Sequence, residues 1–325
     1  MAAVCSGWRY WRVACAIARY HALVAAVETA VLVQKAAPSR ASLQLRAPVW
    51  SSLLPYLKHI VEAEVADDDS LPIGPHNPLP RSLRTLRLHD SPNLTLRLDT
   101  LPPRLTALTL GGLKRGAQLQ PGVLPHALVS LHLTGEFNTR SPIAADVLPP
   151  TLQRLEVDEW KLPLSDLAMP TSLLHLRLHM LNHDTIHPNT LPPNLLTLRL
   201  EGFFDQPHPI GADVLPATLR SLHLMGCYSQ PFTYRTFVAL RQLEELQLSH
   251  HYRHTLQPGV LPSSLRVLRL GTVGEPVGEG ALPAGLERLM VRIAEWSDVN
   301  YLVPFHVRPK GDLSIEIERF GELSR

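Results

Sequence analysis

The sequence is short of most features that mark an enzyme, a secreted domain or a membrane protein. Its three cysteines (Cys5, Cys15 and Cys227) are odd in number and far apart, so no disulfide framework is indicated and a reducing compartment is expected. No Gly-rich phosphate loop, Gly-x-Ser-x-Gly elbow or His-Glu-x-x-His pair occurs. No catalytic triad or dyad is discernible, so the chain reads as non-enzymatic and without a cofactor. The apolar stretch Val13–Val33 is interrupted by Arg19, His21 and Glu28. A spanning helix needs about 20 mostly apolar residues with few or no charges, so no membrane span is expected. The start also lacks the charged, apolar and small-residue regions of a secretory leader. Arg9, Arg12 and Arg19 precede any acid, as in a mitochondrial presequence, yet the segment is poor in Ser and rich in Trp, Tyr, Val and Ala. The expected address is cytoplasmic, with nuclear as the alternative. A net charge of +2 does not imply nucleic acid. Residues 1–60 carry seven Lys/Arg against one acid, while residues 61–325 carry 24 against 28.

What the chain does have is a repeat. The phrase Leu-Pro-x-x-Leu-x-x-Leu-x-Leu starts at Leu79, Leu101, Leu124, Leu191, Leu215 and Leu261. Weaker copies start at Leu148, Met169, Ala239 and Leu282. These ten starts lie 21–24 residues apart. A fixed period in the twenties specifies a solenoid, in which each unit buries its apolar side against its neighbours. Such proteins bind other proteins along an extended face. Many of the 30 prolines recur at the second and third positions of the unit, so they are architectural.

With the leading residue of each unit numbered zero, apolar residues fall at +4, +7 and +9. The alternation in Thr85-Leu86-Arg87-Leu88 is that of a short half-buried strand. Ten such strands stacked in parallel at about 4.8 Å make a ladder roughly 45 Å long. Proline at +1 cannot donate to a ladder, so the Leu-Pro half must turn into the strand from the opposite side. Too few residues remain per unit for a long helix, and turns with short 3₁₀ pieces are expected there. The leucines at +7 and +9 (Leu86, Leu88, Leu108, Leu110, Leu131, Leu133, Leu198, Leu200, Leu222, Leu224, Leu268 and Leu270) are the expected core.

This layout resembles the leucine-rich-repeat horseshoe, without the Asn that usually follows the strand. Position +12 or +13 is instead aromatic or aliphatic: Leu113, Phe137, Trp160, Leu181, Phe204, Tyr228 and Val273. Phe137-Asn138 leading to Pro142-Ile143, Phe204-Asp205-Gln206-Pro207 and Tyr228-Ser229-Gln230-Pro231-Phe232 resemble the Phe-Asn-x-Pro-Ile motif of FNIP repeats, over residues 75–293. That family implies an interaction role and no catalytic residue. Residues 1–50 read as a helical segment, and residues 51–325 as the solenoid with a C-terminal cap from about 293. Residues 57–65 hold a degenerate first repeat. The run Val4-Cys5-Ser6-Gly7-Trp8-Arg9 resembles the last helix of an F-box. That resemblance implies a ubiquitin-ligase linker subunit as partner and substrate recognition for a cullin ligase. The alternative is a plain cap over the first strand edge, attached to a general interaction scaffold.

His175, His179, His183 and His187 sit four apart, but the repeat frame places them on a strand and a turn rather than on one helix face. His250, His251 and His254 lie in a turn with no cysteine pair nearby. Zinc needs convergent ligands, and no metal is expected. Cys227 reads as a small buried hydrophobe, and Asp158-Glu159 as a solvated rim. The candidate protein-binding strip is position +8: Arg87, His132, Glu156, Arg177, Arg199, His223, Gln247 and Arg269, with Thr109 and Met290 completing the row. Two readings stand side by side. Either the row is a solvated face, or it is a basic-centred strip for an acidic protein segment, using arginine's fit to carboxylates.

Overall fold

The computed structural model describes residues 42–45, 61–65, 79–88, 96–98, 100–111, 119–135, 142–272, 277–294, 303 and 313–320. Thirteen strands form one parallel sheet in which spatial order equals chain order. They are β1 (Ser42–Leu45), β2 (Glu62–Val65), β3 (Thr85–Leu88), β4 (Ala107–Gly111), β5 (Ser130–Thr134), β6 (Arg154–Trp160) and β7 (His175–Met180). The ladder continues with β8 (Thr197–Gly202), β9 (Ser221–Leu224), β10 (Glu245–Leu248), β11 (Val267–Thr272), β12 (Arg288–Ala294) and β13 (Ser314–Phe320). The ten expected units are β3 to β12. Three strands extend them.

Two of those extensions correct the sequence reading. Strand β1 falls inside the span 1–50 expected to be helical, because Ser42-Leu-Gln-Leu45 has the two-residue alternation of the other strands and pairs in register with β2. The remainder of that span, including the F-box-like run, lies outside the described residues. Strand β13 falls where a terminal cap was expected, and it pairs with β12 along all seven of its residues. The degenerate repeat at 57–65 provides β2, with Ala63 in the column of Leu86.

Each unit is closed by the same turn. The N–H at +4 donates to the carbonyl at +1 in all ten units, as in Leu83 to Pro80 (3.1 Å), Leu152 to Pro149 (3.0 Å) and Leu265 to Pro262 (3.1 Å). Proline at +1 fits because only its carbonyl is used. The chain then enters the ladder, with the N–H groups at +5 and +6 both donating to the +5 carbonyl of the preceding unit. A second ladder of side chains runs beside this one. At +3, Thr151, Ser172, Asn194, Thr218 and Ser264 each donate to a +2 or +4 carbonyl of the preceding unit, at 2.6–3.0 Å. These hydrogen bonds satisfy turn carbonyls without the missing Asn.

The core lies between the ladder and the back of the coil. Leucines at +4 and +7 form continuous buried columns, and the +9 column, with Val157 and Val291 among its leucines, is buried except at Leu270. Each fully buried leucine contributes about 1.5–3 kcal/mol. Eleven of the twelve expected ladder leucines are buried, and Leu270 is only partly so. The back is built as expected from turns, a 3₁₀ turn at Leu164–Asp166 and a single helical turn, α1 (Tyr234–Phe237). Trp160, Phe204 and Tyr228 are buried there, while Leu181 is half-buried. Phe204 stacks on Tyr228 (5.9 Å) and Tyr228 on Phe232 (5.4 Å), which in turn stacks on Tyr252 (5.0 Å). Asp205 accepts the Ser229 N–H (3.2 Å), so the residue after the aromatic holds the next unit's turn.

Candidate functional site: the ionic row on the open face

The ladder register places the +8 residues in a single row, one per strand. Arg87 pairs with Thr109, Thr109 with His132, His132 with Glu156, Glu156 with Arg177 and Arg177 with Arg199. The row continues through His223, Gln247, Arg269 and Met290 to Glu316. All eight candidate residues are therefore brought together on the face opposite the leucine columns. They are half-buried rather than freely exposed, because flanking strands and long neighbours cover their stems.

The arginines of this row are already paired. Arg87 binds Glu62 (2.7 Å). Arg177 grips Glu201 with a two-pronged fork (Nε to Oε1 3.3 Å, Nη2 to Oε2 2.8 Å), and its Nη1 reaches Asp158 (3.1 Å) and Glu156 (3.9 Å). Glu201 also accepts from Arg199, so one carboxylate bridges the two neighbouring arginines and relieves their repulsion. Arg269 is paired with Glu245. The carboxylates come mostly from +6 (Glu62, Glu245) and +10 (Asp158, Glu201), rows that flank the strip. Asp158, expected on a solvated rim, instead faces Arg177 and His132 (3.4 Å). Strand alternation places it there, since +10 shares a face with +8 as Glu201 does; beyond Val157 β6 shifts register, with Glu159 in the left-handed region (φ 57°).

These contacts set the protonation states. The hydrogen bond to Glu201 raises the Arg177 pKa above its ordinary value. Burial pulls the Glu201 pKa upward, but the hydrogen bonds and charges of Arg177 and Arg199 outweigh it and leave the carboxyl below its usual range. Burial, followed by the charges of Arg199 and Arg269, lowers His223 to about 4. Its Nε2 lies 2.9 Å from the Ser221 hydroxyl. Burial and then Arg154 lower His175 in the same sense. The centre of the face thus holds arginine–carboxylate pairs, with His223 beside them neutral at pH 7. The row's partners at +6 and +10 were not named as site residues from the sequence. Their only signal was an acid two positions from a +8 residue, as in Arg199-Leu200-Glu201.

Three further histidines have local partners. His175 Nδ1 is 3.2 Å from Thr197 Oγ1, and His183 meets Phe203 edge-on (6.3 Å). His254 Nε2 lies 2.6 Å from the Ser229 carbonyl. Among the described residues, no three His, Cys, Asp or Glu side chains are placed to hold a metal ion. Cys227 is half-buried rather than buried, and its N–H donates to the Gly202 carbonyl (3.1 Å). Among the described residues, no helix is long and apolar enough to cross a membrane.

No protein-family model and no curated protein matches the sequence. Among solved structures, the crystal structure of CroV588, described as a novel circular LRR protein structure, is 25% identical with a TM-score of 0.67. The similarity covers 82% of this chain and 37% of that one, so the chain spans well under half the length of that protein. The fold is that of a leucine-rich-repeat-like parallel solenoid.

Proposed function

We propose that this solenoid is a non-catalytic protein-interaction module that captures an extended acidic segment along the +8 row. Leucine-rich-repeat-like solenoids commonly act as interaction scaffolds, and one observation supports this use here. The ladder holds one +8 side chain per strand in register, polar on every strand but β12, with the Arg177 fork already oriented by a carboxylate. Binding then exchanges internal carboxylates for those of a partner, which favours geometric specificity over raw charge. The test is Arg177→Gln combined with Glu201→Gln, used as bait in affinity capture with mass spectrometry. Reversing Arg177 to Glu is a poorer probe, since it would add a fourth carboxylate beside Glu156, Asp158 and Glu201. The expected result is loss of captured partners with far-UV circular dichroism unchanged. Retention of every partner by the folded double variant would leave the row as solvated surface.

A second reading is favoured by Val4-Cys5-Ser6-Gly7-Trp8-Arg9 and the FNIP-like Phe204-Asp205-Gln206-Pro207. In it, the solenoid selects substrates for a cullin ubiquitin ligase in the cytoplasm. Co-purification of a cullin and its linker subunit, abolished by Trp8→Ala, is the expected outcome. A capture that never contains a cullin refutes it.

A further inference from the structure

The rim where each coil enters the ladder carries its charge unevenly. Successive +5 residues stand side by side there, because each +5 N–H donates to the +5 carbonyl of the preceding coil. In the coils leading into β9 to β12 this row alternates Arg220, Glu244, Arg266 and Glu287, and the charges cancel in pairs. Arg220 lies 3.8 Å from Glu244, and Arg266 is paired with Glu287. Near the other end, Arg84 stands between Val61 and Thr106, neither of which is charged. Its Nη1 donates instead to the main-chain carbonyl of Arg104 (3.4 Å), which brings one arginine side chain against the backbone of another.

Arg81 belongs to the same turn, closed by the Leu83 N–H and the Pro80 carbonyl. Arg104 occupies the matching turn of the next coil, closed by Leu105 and Pro102. All three arginines are exposed. Among the described residues, none of them has a carboxylate within ion-pair distance. Three like charges therefore gather within one turn and one coil spacing of about 4.8 Å. The open-face row is the converse, since Arg177, Arg199 and Arg269 already hold carboxylates. A ligand there must displace an internal acid, whereas a ligand at the rim displaces only water.

We propose that Arg81, Arg84 and Arg104 form a second docking site, taking a run of adjacent carboxylates from an acidic segment of a partner protein. Guanidinium forks suit carboxylates. An extended segment presents a residue about every 3.3 Å, so a short acidic run reaches arginines on two neighbouring coils. Unpaired exposed charge also acts at a distance and speeds the encounter with an acidic partner. Nucleic acid fits less well, because residues 61–325 carry 24 Lys/Arg against 28 acids. The site rests on the interaction reading above but not on the central pairs, since it lies before the strands rather than on them.

The test uses the full chain and fluorescence polarisation with labelled DEDEDE, its amide counterpart NQNQNQ and a single-stranded RNA hexamer. Saturable binding of DEDEDE is expected, weaker by about tenfold or more for NQNQNQ and the RNA, and falling as salt screens the exposed charges. Arg81→Gln/Arg84→Gln/Arg104→Gln should weaken DEDEDE by a similar factor. Arg220→Gln/Arg266→Gln, which removes paired arginines from the same rim, should leave its binding unchanged, as should Arg177→Gln/Glu201→Gln. Circular dichroism and thermal melts confirm that each variant is folded. Failure of DEDEDE to bind, equal binding of NQNQNQ or the RNA, or indifference to the triple substitution would overturn the assignment. An equal loss in the Arg220/Arg266 variant would overturn it too, since net charge rather than a site would then govern binding. If DEDEDE is lost only in the Arg177/Glu201 variant, the central row is the site and the rim is not. Loss of natural partners from the central variant with peptide binding intact would uphold the rim as a separate site.

Discussion

His223 should make the fold sensitive to acid between about pH 7 and pH 4. In the native protein it sits among Ser221, Arg199, Arg269 and Glu245 with a pKa of about 4, whereas a free imidazole titrates near 6.5. As pH falls, the unfolded chain takes up this proton first, so stability declines through the window and the loss is complete only below the native pKa. At about 1.4 kcal/mol per pH unit, the gap sets a ceiling of about 3 kcal/mol, of which about 2 would be lost by pH 5. The ring retains some solvent contact, and screening reduces the pH 5 figure to about 1 kcal/mol. Urea unfolding of wild type and His223→Gln at about pH 7 and about pH 5 isolates this contribution, because His175 and the carboxylates titrate in both proteins. Glutamine can still hydrogen-bond the Ser221 hydroxyl. Wild type should lose about 1 kcal/mol more than the variant across that interval. Parallel losses in the two proteins would refute the reasoning, since they would mean that His223 is as protonatable folded as unfolded.

Other perturbations have sharp outcomes. Leu198→Ala should cost about 2–5 kcal/mol in urea unfolding. Leu289→Ala should cost a similar amount, because β13 gives β12 a neighbour on both sides. A markedly smaller loss at Leu289 would mean that β13 contributes no cover. A Cβ on Gly271 would lie 2.3–2.4 Å from backbone atoms of Ser249 and His250. Gly271→Ala must therefore force β10 and β11 apart and should cost about 1–3 kcal/mol by thermal melt; an unshifted Tm contradicts the close approach. Thr218→Val removes the hydroxyl shared by the Pro193 and Leu195 carbonyls and should cost about 1 kcal/mol in the same urea assay. A neutral effect would show that water serves those carbonyls equally well.

Strand register was legible because a period of two fixes which side chains share a face, so Arg177 and Arg199 could be set side by side from the leucine frame alone. Strand β2 was harder to see. Glu62-Ala-Glu-Val65 carries no leucine, and its place is set by main-chain pairing to Thr85–Leu88, which any alternating segment can supply. Strand β13 hides for the same reason. The ion pairs were partly legible: alternation sets Glu156 and Glu201 beside Arg177 and Arg199, while the fork that Glu201 receives from Arg177 and the reach of Arg177 to Asp158 depend on side-chain rotamers that no period announces. The +3 side-chain donors escaped notice because Thr151, Ser172, Asn194, Thr218 and Ser264 read as ordinary turn residues until their acceptors are known. Leu270 was misplaced because its cover depends on the residue at Gly271 and on neighbouring coils, not on its own position in the phrase.

A sheet whose spatial order equals its chain order has a consequence for biosynthesis. Every strand pairs with one that precedes it by only 20 to 26 residues, from Ser42 with Glu62 at one end to Arg288 with Ser314 at the other. A ribosome adding about 5–20 residues per second releases one such coil every few seconds. Closing a short loop takes well under a microsecond, so docking far outruns elongation. Each new coil meets a finished template as it emerges, and no strand waits for a distant partner. The nascent chain exposes about one coil's worth of leucines at a time, which limits the window in which a polysome could tangle neighbouring products.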